Sequence, residues 1–108
     1  VKAGDFDIIV CDPPAFAKSG GSVQKALKAY MDLNRKCLNL LKKDGILFSS
    51  SCSGRVSLDD FRNTLKIAAG SGKKDVRVLA TIGQAPDHTD KLSFPEGRYL
   101  KTLVLQVL

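Results

Sequence analysis

An apolar run that ends in two prolines constrains the fold of this chain more than any other feature. Residues 6–11 are mostly apolar and rich in β-branched side chains, which predicts a buried strand. Asp12, Pro13 and Pro14 follow directly, and the prolines end the strand in a rigid turn because they lack backbone donors. Open α/β sheets bind ligands at the carboxyl ends of their strands. We therefore expect Asp12 either to cap this turn or to line a site for a flat, hydrogen-bonding ligand such as a nucleobase.

The rest of the chain alternates between helical and strand patterns. A strand, a helix, a strand and a second helix predict two parallel strands with right-handed crossovers. The last two strands have no helical pattern between them and are expected to pair antiparallel, so the predicted fold class is α/β. The elements after the first strand are a helix at 23–41, a strand at 46–51, a helix at 58–69, a strand at 76–82 and a strand at 99–107.

Serine, lysine and glycine residues mark the predicted helix ends. Ser22 and Ser57 directly precede the two helices, and serine side chains commonly cap helix N-termini. Lys42 and Lys43 are expected to form a cationic last turn of the first helix, where the helix dipole favours positive charge. Gly45 then provides a stop signal.

Composition bears on the partners and the compartment. The 108 residues suffice for one small domain, and 17 basic against 11 acidic side chains give a net charge of +6. This excess modestly favours a polyanionic partner such as nucleic acid. No apolar stretch approaches the roughly 20 residues of a membrane span, so we expect no membrane association. Three cysteines, an odd number without paired metal spacing, predict free thiols rather than a disulfide framework, and no metal site. Free thiols indicate a reducing compartment, which we expect to be the cytoplasm.

A cysteine forms the second candidate site. Cys52 follows three serines at the exit of the second predicted strand and precedes Ser53 and Gly54. Adjacent parallel strands end at the same edge of a sheet, so Cys52 and Asp12 are expected to face one crevice. Amide donors at a nearby helix start can favour a reactive thiolate, whereas a small buried core thiol is the alternative. Cys11 and Cys37 lie within apolar patterns and are expected to be core residues.

Other polar residues are weaker candidates. His88 lies in a polar loop, where a lone histidine is usually solvated. Lys18 and Arg55 flank the two candidate loops and could contact phosphate, although isolated charges are more often surface residues.

Three motifs in this order resemble a known family. Residues 6–19 (FDIIVCDPPAFAKS) look like motif IV of class I S-adenosylmethionine-dependent methyltransferases, and more narrowly like the large-subunit ribosomal RNA cytosine-C5 methyltransferases. Residues 51–54 (SCSG) resemble motif VI of that family, and residues 95–101 (PEGRYLK) its late loop-and-strand signature. The resemblance covers essentially the whole chain. It implies that residues 1–108 are the C-terminal half of a Rossmann-like methyltransferase sheet, the half that binds the target base.

The resemblance also implies roles for individual residues. Cys52 would attack C6 of a cytosine in ribosomal RNA, which makes C5 nucleophilic towards the methyl group of S-adenosylmethionine. Asp12 and the Pro13 carbonyl would hold the N3/N4 edge of the base and border the methyl group. Phe16 would stack on the unpaired or flipped base beside Pro14. Lys18 would complete the substrate-binding loop.

Two departures from the family limit what the chain is expected to do alone. Ala15 stands where two-cysteine RNA cytosine methyltransferases carry a cysteine that assists product release. The glycine-rich loop that binds the cofactor is also missing, so the pocket for S-adenosylmethionine is incomplete and the isolated fragment is expected to be inactive. The alternatives are a methyltransferase for another nucleobase position and a non-catalytic α/β module for RNA binding. In the last case an exposed edge strand could support a homodimer.

Overall fold

The computed structural model describes residues 3–14, 23–53, 56–83 and 100–108. Within these residues the chain forms four strands and two helices. In chain order they are β1 (Phe6–Cys11), α1 (Val23–Leu40), β2 (Leu41–Ser51), α2 (Leu58–Ser71), β3 (Val76–Ile82) and β4 (Lys101–Val107).

The four strands form one mixed sheet in the order β1-β2-β4-β3. β1 and β2 are parallel, as two strands joined by a crossover helix must be when they are neighbours in a βαβ unit. β4 is antiparallel to both of its neighbours, β2 and β3. The predicted α/β class, with a parallel pair followed by an antiparallel pair, is therefore confirmed. β4 lies between β2 and β3, although it is the last strand in the chain.

Both helices pack on one face of the sheet, and the core lies between them and the strands. Tyr30 of α1 and Phe61 of α2 meet edge to face, with ring centroids 5.6 Å apart and an interplanar angle of 79°. Leu47 of β2 and Leu103 and Leu105 of β4 supply the sheet side of this core. No helix in the described part of the chain is long and apolar enough to span a bilayer.

The opposite face of the sheet carries exposed apolar side chains. We call Ile8, Val10, Phe48 and Ile82 the open face, because the strand register places all four on the side away from the helices. Ile8 and Val10 on β1 are 61% and 70% exposed. In strands with one solvent-exposed face, apolar residues normally alternate with polar ones. Here both faces of the sheet carry apolar side chains, which is typical of a sheet that is covered on both sides.

The boundary between α1 and β2 differs from the prediction. α1 ends at Leu40, so Lys42 and Lys43 lie beyond the helix and form no cationic last turn. Asp44, with a φ of 68°, adopts a left-handed conformation at this junction. Gly45 is needed for a steric reason: a Cβ there would lie 2.8 Å from the Lys42 carbonyl oxygen, closer than packed atoms allow.

The remaining boundaries agree closely with the pattern. β1 and β3 have the predicted bounds, and α2 continues two residues beyond its predicted end. The Ser57 cap is confirmed, because its Oγ accepts a hydrogen bond from the Asp60 amide at 3.0 Å. Ser22 and the predicted start of the last strand at residue 99 lie outside the described residues.

Candidate active site

The two candidate residues leave the sheet at the same edge. Asp12 follows β1 and Cys52 follows β2, and the register pairs Cys11 with Ser49. Neighbouring strands lie about 4.8 Å apart and rise ~3.3 Å per residue, so the backbone of Asp12 lies within roughly 10 Å of that of Cys52. Asp12 is exposed and Cys52 is half-buried. A carboxylate and a partly accessible thiol therefore share one end of the parallel pair.

The end of β2 is polar on the side that faces the helices. Ser49, Ser51 and Ser53 are all buried, with at most 1% of their surface exposed. Buried hydroxyls are costly unless they are hydrogen-bonded, so each serine needs a partner in the core. The partners of Ser49 and Ser51 come from α1.

Two residues of α1 anchor this end of the strand. Ser49 Oγ donates to Asn34 Oδ1 at 2.5 Å, and Asn34 Nδ2 donates to the Tyr30 carbonyl oxygen at 2.7 Å. Ser51 Oγ donates to the hydroxyl oxygen of Tyr30 at 3.0 Å. The segment just before Cys52 is thus held to the helix through side chains that are themselves fully buried.

The loop that carries Cys52 is held from both of its sides. The Ser53 amide donates to Ser51 Oγ at 3.3 Å, which closes a tight turn around Cys52. Lys101 Nζ, from the start of β4, donates to the Ser53 carbonyl oxygen at 3.0 Å. Lys101 is only 7% exposed. Burial lowers the pKa of Lys101, and the neighbouring Cys52 raises it in part through charge attraction.

A pair of thiols lies beneath the end of β1. Cys11 is buried, as expected, whereas Cys37 of α1 is half-buried and packs against the core. The two side chains are hydrogen-bonded to each other. This bond, reinforced by burial, raises the pKa of Cys11, while the same bond lowers the pKa of Cys37 from 9.0 to about 7.

The other predicted site residues are described only in part. Pro13 is half-buried and Pro14 is exposed, next to Asp12. The remaining candidates lie outside the described residues: Phe16, Lys18, Arg55, His88 and residues 95–99.

Sequence reasoning did not identify two of the residues that support this site. Asn34 lies four residues after Tyr30 and four before Leu38, on the apolar face of α1, and that spacing could have marked it as a buried polar side chain. The sequence marks Lys101 only as the last residue of the motif at 95–101. Its burial depends on the pairing of β4 with β2, which no local pattern encodes.

The fold matches part of known methyltransferases. The structure superposes on SMU.776, described as a methyltransferase and solved as a complex with SAH, with a TM-score of 0.73 and 26% identity. That match covers 96% of this chain and 27% of the other. A SAM-dependent methyltransferase from Streptococcus mutans gives a TM-score of 0.74 at 25% identity, over 96% of this chain and 26% of that one. The mixed α/β sheet is therefore a Rossmann-like fragment of the methyltransferase type.

The relatives found by sequence belong to a narrower class of protein than the structural matches. The chain is 41% identical over 102 residues to ribosomal RNA large subunit methyltransferase I of Shewanella frigidimarina, a match that covers 94% of this chain and 26% of that protein. It is 37% identical over 107 residues to the protein of the same name from Pseudoalteromonas atlantica, covering 99% and 27%. The chain thus spans about a quarter of the length of the curated relatives it matches. No protein-family model matches it.

Proposed function

We propose that this chain is the target-base half of the catalytic domain of an S-adenosylmethionine-dependent methyltransferase that modifies cytosine C5 in ribosomal RNA. The observation that carries the proposal is the half-buried Cys52 at the end of β2, beside Asp12 at the end of the parallel strand β1. The similarity to ribosomal RNA large subunit methyltransferases supports the substrate. The net charge of +6 suits a phosphate backbone.

In this proposal Cys52 is the nucleophile. Its thiolate adds to C6 of the cytosine, and the electron pair of the C5–C6 double bond makes C5 nucleophilic. The cofactor, when bound, supplies an electrophilic methyl group to C5. The C5 proton then leaves to a base, and the electrons of the C5–H bond expel the Cys52 thiolate and restore the ring. A thiol is well suited to both addition and departure because its thiolate is a strong nucleophile and a good leaving group.

Asp12 and Pro13 orient the base. The carboxylate of Asp12 stabilises N3 in its protonated form, which offsets the negative charge that the addition places on the ring. The Pro13 carbonyl accepts a hydrogen bond from the exocyclic amine. We propose that Pro14 and Phe16 complete the wall of the base pocket and that Lys18 contacts a phosphate.

The described residues fit only the rim of a cofactor site. Asp12 is exposed at the carboxyl edge of β1, where methyl transfer would occur, and the printed sequence contains no G-x-G-x-x-G motif. β1 has no strand partner on its outer side among the described residues. We propose that further strands, which carry the cofactor loop, pair there in the complete enzyme. In their absence the same edge is where a second copy would pair.

Cys52 favours C5 chemistry over the alternatives. Methyltransferases that act on ring or exocyclic nitrogens use a nucleophile already present in the base and need no protein thiol. A non-catalytic module would not need a half-accessible thiol supported by buried hydrogen bonds on both sides. We therefore propose cytoplasmic methylation of ribosomal RNA as the activity.

The test is removal of the thiol in the intact methyltransferase that carries this chain. Cys52→Ala is expected to lower methylation of large-subunit ribosomal RNA by at least about 10³-fold, because the covalent step is lost. Cys37→Ala is the matched control and should retain activity. RNA that contains 5-fluorocytosine should form a covalent adduct with the wild type and the control, because fluorine cannot leave C5 as a proton does. Methylation retained by Cys52→Ala would overturn the covalent mechanism.

A further inference from the structure

A buried cation lies against the loop that carries Cys52. Lys101 is the first residue of β4, and the strand register pairs it with Ser51, the residue before Cys52. Its Nζ donates to the carbonyl oxygen of Ser53, the residue after Cys52, at 3.0 Å. The lysine thus contacts the loop on both sides of the thiol. It does so from another strand, so its position depends on the sheet and not on the loop itself.

Burying a lysine in order to hold a loop carries a large desolvation cost. Moving an ammonium group out of water is unfavourable unless nearby groups compensate for the lost hydration. The Ser53 carbonyl oxygen could be held equally well by a neutral amide or hydroxyl donor, which costs less to bury. A negative charge on Cys52 would use the cation as well as the donor, and the reaction proposed for Cys52 requires such a charge.

The direction of charge coupling agrees with this explanation. Burial lowers the pKa of Lys101, and charge attraction to Cys52 opposes that change. Ser51 and Tyr30, which also hold this end of the strand, carry hydroxyl groups joined by a hydrogen bond of 3.0 Å. Hydroxyls contribute dipoles and no net charge, so among these three described residues the ammonium of Lys101 is the group suited to balance a thiolate.

We propose that Lys101 is a positioning residue for Cys52, which fixes the nucleophile loop through the Ser53 carbonyl and stabilises negative charge on the Cys52 sulfur. This inference rests on the proposed function. Lys101 stays protonated throughout and exchanges no proton with the substrate. Its charge favours the thiolate before addition to C6 and again when the sulfur leaves, so both steps depend on the same cation.

Three substitutions separate charge from hydrogen bonding. Lys101→Arg keeps both the charge and a donor for Ser53, Lys101→Gln keeps a donor without the charge, and Lys101→Met removes both. In the intact methyltransferase we expect kcat to fall by about 10–100-fold for the Gln and Met variants with KM for RNA little changed, and to be largely retained by Arg. Lys66→Met, at an exposed lysine of α2, is the control and should behave as the wild type.

Alkylation of Cys52 gives a second readout that needs no substrate. Iodoacetamide reacts with thiolates, so its rate at neutral pH should fall about 10-fold in Lys101→Gln and stay near the wild-type value in Lys101→Arg. Trypsin places Cys52 in residues 44–55, apart from the other two cysteines, so mass spectrometry can follow it alone. The Gln and Arg variants both retain a donor for Ser53, so both are expected to fold, and circular dichroism is the check on their folding.

The outcomes of these experiments are distinct. Equal activity and alkylation in the Gln and Arg variants, whether both high or both low, would overturn the role of the charge in favour of a purely structural contact. Cys52→Ala inactive with Lys101→Gln fully active would refute the inference about Lys101 while leaving the proposed function intact. Cys52→Ala active would refute the proposed function itself.

Discussion

The contact between Cys11 and Cys37 makes two thiols in the same core respond differently to pH. The hydrogen bond from the Cys11 thiol stabilises negative charge on Cys37, so the pKa of Cys37 is lowered to about 7, whereas Cys11 keeps its proton. Between pH 7 and pH 9 Cys37 is therefore more ionised in the folded protein than in the unfolded chain, and its ionisation adds to stability as the pH rises through that window.

This asymmetry predicts the order of alkylation. Iodoacetamide should modify Cys37 with a half-maximal rate near pH 7 and leave the buried Cys11 unmodified in the folded protein. Trypsin separates the two as residues 37–42 and 3–18, so peptide mass spectrometry measures each rate. Cys11→Ala removes the donor and should move the midpoint of Cys37 towards its ordinary value of 9.0. A midpoint that stays near pH 7 in Cys11→Ala would show that another group stabilises the thiolate.

At the scale of single elements, the connection between α1 and β2 depends on one glycine. A methyl group at Gly45 would lie 2.8 Å from the Lys42 carbonyl oxygen and 3.2 Å from that of Asp7. These contacts involve backbone atoms, which cannot rotate away as a flexible side chain could. The chain must therefore shift at the junction where α1 ends and β2 joins β1.

Gly45→Ala is accordingly expected to lower the free energy of unfolding by roughly 1–3 kcal/mol, a value typical of forced backbone strain. Gly70→Ala, inside α2, is the matched control. No atom outside its own helix lies within 4 Å of a Cβ there, so alanine should stabilise the protein by about 0.5–1 kcal/mol through helix propensity. Urea denaturation of the two variants measures both effects, and a neutral Gly45→Ala would contradict the close approach.

Some element boundaries follow from sequence patterns, and others do not. The bounds of β1 and β3 follow from apolar runs that end in turn residues, and the Ser57 cap follows from local hydrogen bonding. The end of α1 does not follow from a local pattern, because the close approach of Gly45 to the Asp7 backbone of β1 is set by tertiary structure. The spacing of Asn34 on the apolar face of α1 was a usable signal that was not applied to a polar residue, whereas the burial of Lys101 depends on the pairing of β4 with β2. Placing Asp12 and Cys52 at one edge needed only the rule for parallel strands.

At the scale of the molecule, the sheet presents an apolar surface that its own helices do not cover. The open face, together with the outer edge of β1, is the side on which the complete enzyme is proposed to continue. The chain spans about a quarter of its relatives and contains the residues proposed to meet the base, and its described residues include the proposed rim of the cofactor pocket.

The isolated chain is therefore expected to bind S-adenosylmethionine weakly or not at all. The sequence contains no G-x-G-x-x-G motif whose amides could hold the cofactor, and Asp12 at the end of β1 is exposed. Isothermal titration calorimetry of the purified chain should give no saturable heat at micromolar cofactor, while the intact methyltransferase serves as the positive control. Micromolar affinity in the chain alone would mean that these residues already contain a pocket.

The central position of β4 has a consequence for biosynthesis. β4 leaves the ribosome after β1, β2 and β3, yet it is the strand that joins β2 to β3. Until it inserts, β3 has no partner among the described strands, and pairing across such long sequence separations is slow. The same insertion brings Lys101 to the Ser53 carbonyl. A nascent chain therefore carries Cys52 in a loop that lacks its contact with Lys101, and the thiol acquires its full proposed reactive surroundings only when the sheet has closed.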